Sequence, residues 1–289
     1  MTRPTNRPSN ADLAPPVGII IDADDGGVGK THAAIQIITA FRLAGLPLDL
    51  FQLDSKRTLA EKSGETVVSL LVPDRHDVNA DGATAADVVA PWYRTVTAMD
   101  ETQRSCLLEV GGALSPVFHE AVTDYDLDED IGLLDLKIVT LIVTKAGGDA
   151  ASQLMRVVRR TERNLPGARI IIAQNEMLGS PIAAAAELEK SLRAQVLGAF
   201  EKYPTIRIPR LNPRTMLIFE RLPVLPSTVV GWHAENYAEA LRQTGKPRDE
   251  AKRFVRDLAA WTGTIQEELV RVLPFLDVDA AVETEAPHG

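Results

Sequence analysis

Short apolar runs alternate with amphipathic stretches along most of this chain. Residues 17–22 are nearly all apolar and β-branched, which is typical of a strand buried on both faces. Apolar residues then recur at helical spacing over 30–44, and Gly45 ends the predicted helix. The further predicted strands are 48–53, 66–72, 105–110, 136–144, 168–173 and 205–208. The further predicted helices are 85–99 (with Pro91 as a candidate break), 150–164, 182–200 and two segments beyond Trp232 that Pro247 separates.

Strands and helices that alternate through short connections predict parallel β–α–β units with right-handed crossovers. The predicted fold class is therefore α/β, a three-layer domain with a mostly parallel sheet between helices and a helical C-terminal extension. We interpret that extension as an appendage rather than a second core. The predicted regions are a disordered, proline-rich arm (1–16), a nucleotide-binding domain (17–230), the helical extension (231–276) and a flexible acidic tail (277–289).

Composition narrows the functional classes. The chain has 289 residues, and its hydrophobic share of 45% is enough for an apolar core. Its net charge of −9 argues against a broad basic surface that binds nucleic acid. The single cysteine, Cys106, cannot form an intramolecular disulfide. No apolar run approaches the length of a membrane span, and the polar residues 1–16 contain no apolar segment of the kind found in a secretory signal. These features predict a cytoplasmic protein.

The residues Asp24-Asp25-Gly26-Gly27-Val28-Gly29-Lys30-Thr31 follow a predicted strand and open a predicted helix. This is the context of a phosphate-binding P-loop, in which glycines let backbone N–H groups turn towards an anion at a helix N-terminus. Lys30 would contact the β- and γ-phosphates, and the Thr31 hydroxyl would ligate Mg²⁺. The predicted cofactors are ATP and Mg²⁺. No guanine-recognition motif is evident, which favours ATP over GTP.

The loop resembles that of the ParA/MinD family of ATPases, written Lys-Gly-Gly-x-Gly-Lys-Thr. Residues 26–31 match this pattern, whereas Asp25 stands where the family has its signature lysine. That lysine reaches the phosphates across a nucleotide-sandwich dimer in the family. The resemblance thus implies a nucleotide-dependent homodimer, and the replacement by Asp25 leaves that dimer and the hydrolysis rate open.

Two acidic residues fit the same resemblance. Asp54 follows the second strand, in the place of the family's switch I, where it would orient the attacking water or join the outer shell of the metal; alternatively it caps the next helix. Glu109 ends an apolar strand where the family usually has Asp, and Gly111 and Gly112 follow it. The resemblance implies that Glu109 holds the metal-bound water. We therefore predict Lys30, Asp54 and Glu109 as catalytic residues and Thr31, Asp54 and Glu109 as metal-binding residues.

Asn175 ends a predicted strand that resembles the one carrying a base-contacting asparagine in the family. Its amide has both a donor and an acceptor, although an Asx-turn explains it as well. His32 follows Thr31 and would lie near the nucleotide, or pack in the core. The predicted nucleotide-binding residues are Gly26, Gly27, Val28, Gly29, Lys30, Thr31, His32 and Asn175. A basic stripe on the helix over 150–164 (Arg156, Arg159, Arg160 and Arg163) is interpreted as a solvated face, with DNA or an acidic partner as the alternative.

The first functional hypothesis is a ParA/MinD-like nucleotide switch that binds MgATP, hydrolyses it slowly and regulates a protein or DNA partner. The resemblance suggests plasmid partition, conjugal transfer or cellular positioning as the setting. A second hypothesis is an ATP-dependent small-molecule ligase or kinase, because residues 109–116 also resemble a loop of dethiobiotin-synthetase-like ligases. A third is a scaffold that binds nucleotide with little hydrolysis.

Overall fold

A computed structural model describes residues 15–54, 56–70, 84–233 and 236–277. The predicted arm up to residue 14 and the predicted tail from residue 278 lie outside these ranges. Seven strands form one parallel sheet in the order β3-β2-β4-β1-β5-β6-β7. The strands are β1 (Gly18–Asp22), β2 (Leu48–Leu53), β3 (Val68–Ser69), β4 (Ser105–Val110), β5 (Ile138–Lys145), β6 (Arg169–Asn175) and β7 (Thr205–Ile208).

Thirteen α-helices lie in the described ranges. They are α1 (Lys30–Leu43), α2 (Thr58–Ser63), α3 (Ala85–Thr97), α4 (Met99–Thr102), α5 (Ser115–Asp124), α6 (Leu127–Leu133), α7 (Gly148–Asn164), α8 (Pro181–Ala184), α9 (Lys190–Lys202), α10 (Pro213–Phe219), α11 (Pro226–Gly231), α12 (Ala238–Thr244) and α13 (Arg248–Val272). No helix in these ranges is long and apolar enough to cross a bilayer.

Alternate residues of each strand point to opposite faces of the sheet, and both faces are covered. On β1, Ile19 and Ile21 pack in one apolar cluster with α1, whereas Ile20 packs in a second cluster with α3 and α5. A third cluster joins β5 and β6 to α7 and α9. The three-layer α/β fold predicted from the sequence is confirmed.

The C-terminal helices are continuous with this core. Phe254, Leu258 and Ile265 on α13 belong to the same apolar cluster as α1 and the central strands. Beyond α13, Phe275 packs edge-to-face against Phe41 of α1, with ring centroids 5.9 Å apart. The predicted helical extension is present, and it covers the sheet rather than projecting from it.

Several predicted elements differ from those observed. The single helix predicted over 182–200 is wrong, because the chain forms α8, a 3₁₀ turn and then α9, with Leu188 extended between them (φ −76°, ψ 157°). The extended backbone at Leu188 lets its side chain pack against the third cluster. Pro91 does not split α3. Strand β3 is shorter than predicted, and residues 71–72 lie outside the described ranges.

Candidate functional site

The carboxyl ends of the central strands bring the predicted site residues to one edge of the sheet. Glu109 of β4 lies beside Ile21 of β1 on one side and beside Gln52 of β2 on the other. Asp54 follows β2 directly, and Asn175 ends β6 in register with Lys145 of β5. Because the P-loop follows β1, it lies at the same edge, where ligands of parallel α/β sheets bind.

The glycine loop adopts the conformation that its sequence predicts. Gly27 (φ +68°) and Gly29 (φ +99°) occupy the left-handed region, which side chains rarely adopt. Gly29 also precedes the first residue of α1, and a Cβ atom there would overlap the Asn175 amide nitrogen. That nitrogen donates a hydrogen bond to the Val28 carbonyl, 2.8 Å away. The loop is therefore held against the end of β6.

Lys30 is buried at the base of the loop, with 7% of its surface exposed. Its Nζ donates to the Asp25 carbonyl at 2.7 Å. Burial lowers the pKa of Lys30, while the nearby carboxylates of Glu109 and Asp22 act in the opposite direction. The ammonium thus lies near acidic side chains but is bonded to a neutral carbonyl, and a bound phosphate would give it a charged hydrogen-bond partner.

Thr31 and Glu109 join the P-loop to the loop after β4. The Thr31 hydroxyl donates to Glu109 Oε1 at 2.6 Å. Burial raises the pKa of Glu109 to about 7, although the Thr31 hydrogen bond and the Lys30 charge both favour the carboxylate. The other oxygen, Oε2, is buried and has no hydrogen-bond partner among the described residues. A buried carboxylate oxygen without a partner, next to a hydroxyl, is a donor set that fits a hard cation such as Mg²⁺.

Asp54 is a second acidic residue near Glu109 in the lining of the site. Its Oδ1 accepts a hydrogen bond from the Lys56 backbone N–H at 3.1 Å. Arg57, not Asp54, is the N-cap of α2, so the capping alternative is wrong. The first residue of the loop after β4, Gly111, donates to the Leu53 carbonyl, and a Cβ there would lie 3.1 Å from Asp54 Cγ. The two loops that follow β2 and β4 are therefore in close contact.

The acidic side chains that open the P-loop are neutralised by basic residues from β5 and α7. Asp24 accepts hydrogen bonds from Arg156 Nε at 2.9 Å and from Arg160 Nη1 at 2.7 Å. Asp25 Oδ2 lies 3.4 Å from Lys145 Nζ. These pairs offset the repulsion that two carboxylates would exert on a phosphate. The interpretation of the basic stripe as a solvated face is wrong for Arg160, which is 21% exposed, whereas Arg156 is 54% exposed although it also pairs with Asp24.

Asn175 and His32 also border the loop. Besides its bond to Val28, Asn175 accepts a hydrogen bond from the Met177 N–H, so the Asx-turn is present and both ends of the amide have protein partners. His32 is buried, and burial lowers its pKa. Its Nε2 lies 4.0 Å from Glu220 Oε1. The nucleotide contacts assigned to both residues stay predictions.

Two neighbouring cavities open at this edge of the sheet. The first, of about 350 Å³, is polar and lies over the P-loop, where it is lined by Lys30, Thr31, Asp54, Lys62 and Glu109 among others. The second, of about 420 Å³, is mainly apolar, and its lining includes Leu178, Ile208, Pro209, Leu211, Met216 and Trp261. His32, Met177 and Glu220 line both cavities. The site is therefore a groove with a charged end and an apolar end.

Comparison with protein-family models agrees with this geometry. Residues 19–192 match the model of the CobQ/CobB/MinD/ParA nucleotide binding domain. The chain belongs to this family. The matched residues contain the P-loop, Asp54, Glu109 and Asn175, whereas Glu220 and Trp261 lie beyond them. No curated protein sequence matches the chain.

Solved structures similar to this family member include cell-division proteins. The MinD protein of Aquifex aeolicus is 17% identical, with 86% of this chain and 97% of that chain covered and a TM-score of 0.42. A MinC:MinD complex from the same organism gives 17% identity, coverage of 83% and 96% and a TM-score of 0.44. The septum site-determining protein MinD of Pyrococcus horikoshii OT3, complexed with Mg-ADP, gives 14% identity, coverage of 84% and 95% and a TM-score of 0.44.

Sequence reasoning did not assign several residues that shape the groove. Lys62, Glu220 and Trp261 come from α2, the end of α10 and α13, and carry no motif that marks them. Arg156 and Arg160 had a detectable signal, their helical spacing, but the sequence alone could not place Asp24 against them. Gly112 was recognised as a loop glycine, and its backbone proves to lie against Asp25, where a Cβ would be 2.7 Å from the carbonyl oxygen.

Proposed function

We propose that this family member is a nucleotide-dependent switch ATPase, which binds MgATP, hydrolyses it slowly and regulates a protein or DNA partner. The observation that carries the proposal is the hydrogen bond from Thr31 to Glu109, because it connects the phosphate loop to the loop after β4. A nucleotide bound at the first loop would act on the second through this bond. The family resemblance supports plasmid partition, conjugal transfer or cellular positioning as the setting, and we expect the protein to act in the cytoplasm.

The two ends of the groove suit the two ends of a nucleotide. The polyphosphate would lie over the P-loop, with Lys30 as its main cation and the N-terminus of α1 beneath it. The base would enter the apolar cavity between the residues that follow β6 and β7, near Trp261. The ribose would then lie at the junction of the two cavities, near His32, Met177 and Glu220. Buried apolar walls with a few polar groups are typical of such pockets.

Thr31 and Glu109 are the residues that would hold Mg²⁺, with Asp54 in the outer shell. Among the described residues, no three or more His, Cys, Asp or Glu side chains converge as a metal cage. Magnesium at nucleotide sites normally relies on one or two protein ligands together with water and phosphate oxygens. When bound, the ion would neutralise charge on the phosphates. Glu109 must be deprotonated to serve as a ligand.

The loop after β4 is placed to transmit occupancy of the site. Glu109 would exchange its bond to Thr31 for a metal or a metal-bound water, and Gly112 lies directly on the Asp25 backbone. The same segment leads into α5, whose Ser115 donates to the buried Asp22 carboxylate at 3.0 Å. Movement of this loop would therefore shift α5, a displacement that a partner could detect.

Light scattering after size-exclusion chromatography tests the switch. Wild type and Lys30→Ala are each run without nucleotide, with MgADP and with MgATP. We expect a change of mass or elution volume in wild type with MgATP and none in Lys30→Ala. Thermal unfolding of both proteins without nucleotide checks that the variant is folded.

The same samples, assayed for phosphate release, separate the remaining hypotheses. Acceleration of turnover by a small molecule but by no macromolecule would favour the ligase or kinase. Nucleotide binding without a change in mass, elution or turnover would favour the scaffold. Partner binding that is unaffected by Lys30→Ala would contradict the switch.

A further inference from the structure

The phosphate end of the groove contains more basic side chains than the P-loop supplies. Besides Lys30, its lining includes Lys56 and Lys62, both from the segment that follows β2. We propose that Lys62 is a second polyphosphate-binding residue, which contacts the phosphates of the nucleotide from the side opposite the P-loop. This inference rests on the proposed nucleotide site and names a residue that no motif marks.

Lys62 is placed between the metal-binding and nucleoside ends of the groove. It lies at the end of α2 with 29% of its side chain exposed, and its Nζ is 3.8 Å from Glu220 Oε1. It lines the same cavity as Glu109 and His32, and its partner Glu220 lines the apolar cavity as well. A cation at this position faces the space that a phosphate chain over the P-loop would occupy.

The charge balance of the site supports the same role. A triphosphate brings several negative charges into a cavity that already contains Asp54, Glu109 and Glu220. The basic residues nearest to the start of the loop are engaged elsewhere, since Arg156 and Arg160 bind Asp24 and Lys145 lies against Asp25. Lys56 and Lys62 thus face the cavity in addition to Lys30. Unlike the exposed Lys56, Lys62 is partly buried and lies beside Glu220, which lines both cavities.

The present partner of Lys62 would not prevent this contact. At 3.8 Å, the pair with Glu220 is longer than a hydrogen bond, and both side chains are partly exposed (29% and 39%). Partly exposed ion pairs of this kind contribute little to stability. Exchange of Glu220 for a phosphate oxygen, which carries more charge, is therefore favourable. In the protein without nucleotide, Glu220 is the ion-pair partner of Lys62.

Binding of MgATP and of magnesium tripolyphosphate to Lys62→Gln tests the proposal. Tripolyphosphate has the phosphate chain without the nucleoside, so it isolates contacts to phosphate. The matched control is Lys137→Gln, because Lys137 is similarly exposed (26%), has one carboxylate partner (Asp135) and lies before β5, at the other edge of the sheet. Circular dichroism melting of each variant checks folding, and calorimetric titration measures affinity.

We expect Lys62→Gln to lower the affinity for both ligands by about tenfold, as for the loss of one charge-assisted contact. We expect Lys137→Gln to change neither affinity. Unchanged affinity for both ligands in Lys62→Gln would overturn the proposal. So would a loss for MgATP alone, since Lys62 would then act on the nucleoside. Absence of binding of either ligand to wild type would instead contradict the proposed nucleotide site itself.

Discussion

The two ends of the groove are built in different ways. The phosphate end is built mainly from the contiguous residues 24–31, together with Asp54 and Glu109 from the ends of β2 and β4 and Lys62 from α2. The apolar end is assembled from segments far apart in the chain, from His32 to Trp261. The phosphate end depends on backbone geometry and buried charge, whereas the apolar end depends on packing. Changes at the two ends should therefore affect different parts of the ligand.

The largest effect that we expect at the phosphate end is a dependence of protein stability on pH that is caused by Glu109. Its pKa is raised by burial to about 7 from an ordinary value of 4.5, so the folded protein binds a proton that the unfolded chain releases between these values. Stability of the metal-free protein should therefore fall as pH rises through this window, by up to about 3 kcal/mol. Glu109→Gln removes this loss and should be more stable than wild type at pH 8 but not at pH 4.5.

Urea unfolding at both pH values, without metal or nucleotide, measures this difference. The groups that face Glu109 are Thr31, Lys30, Asp54 and Lys62, and they stay unchanged in the variant. Glu120→Gln, at an exposed position on α5, controls for the loss of one acidic group. A stability difference between Glu109→Gln and wild type that does not change with pH would contradict a buried, titrating carboxylate.

The second effect concerns the conformation of the glycine loop. Gly29→Ala places a Cβ against the Asn175 amide at a φ of +99°, so it should destabilise the protein by about 1–3 kcal/mol. Gly26→Ala, in the same loop but with open space around it, should change stability by less than about 0.5 kcal/mol. Thermal unfolding compares the two, and equal effects would mean that Asn175 does not hold the loop.

Part of the site could be predicted from the sequence. The strands that end at the site were predicted closely, because each is a short apolar run bounded by turn residues; β2, β4 and β7 have the predicted limits. The P-loop was recognisable because its glycines, lysine and threonine are consecutive. The apolar end could not be recognised from the sequence, because Met216 and Trp261 look like ordinary core residues until the fold places them beside β7.

The third effect concerns the apolar end alone. Trp261 is 6% exposed, lines the cavity and donates its Nε1 hydrogen to the Pro209 carbonyl at 2.7 Å. Trp261→Phe should lower the affinity for MgATP by about threefold to tenfold through lost contact area, and leave the affinity for magnesium tripolyphosphate unchanged. Trp232→Phe, which alters an equally buried tryptophan that does not line either cavity, is the control.

Titration of the three proteins with both ligands would sharpen the contrast between the two ends. Equal losses for MgATP and tripolyphosphate in Trp261→Phe would mean that α13 supports the whole site rather than the base end. Equal behaviour of the two tryptophan variants would contradict a specific contact with the nucleoside.

The smallest effect concerns the carboxylate at the position of the family's signature lysine. Asp25 is 38% exposed and is paired with Lys145 at 3.4 Å. Asp25→Asn removes one negative charge near the phosphates and should strengthen MgATP binding by about twofold to threefold at low salt, and by less at high salt. Titrations at two salt concentrations check this; weaker binding would mean that Asp25 supports the loop through its pair with Lys145.

We propose above that this groove binds a nucleotide through Lys30. Calorimetric titration of MgATP into wild type and Lys30→Met tests it most directly, because methionine fills similar space without the charge. Thermal unfolding confirms that the variant is folded. We expect saturable binding to wild type and a loss of affinity of about a hundredfold or more in Lys30→Met. Equal affinity in the two folded proteins would contradict the proposal.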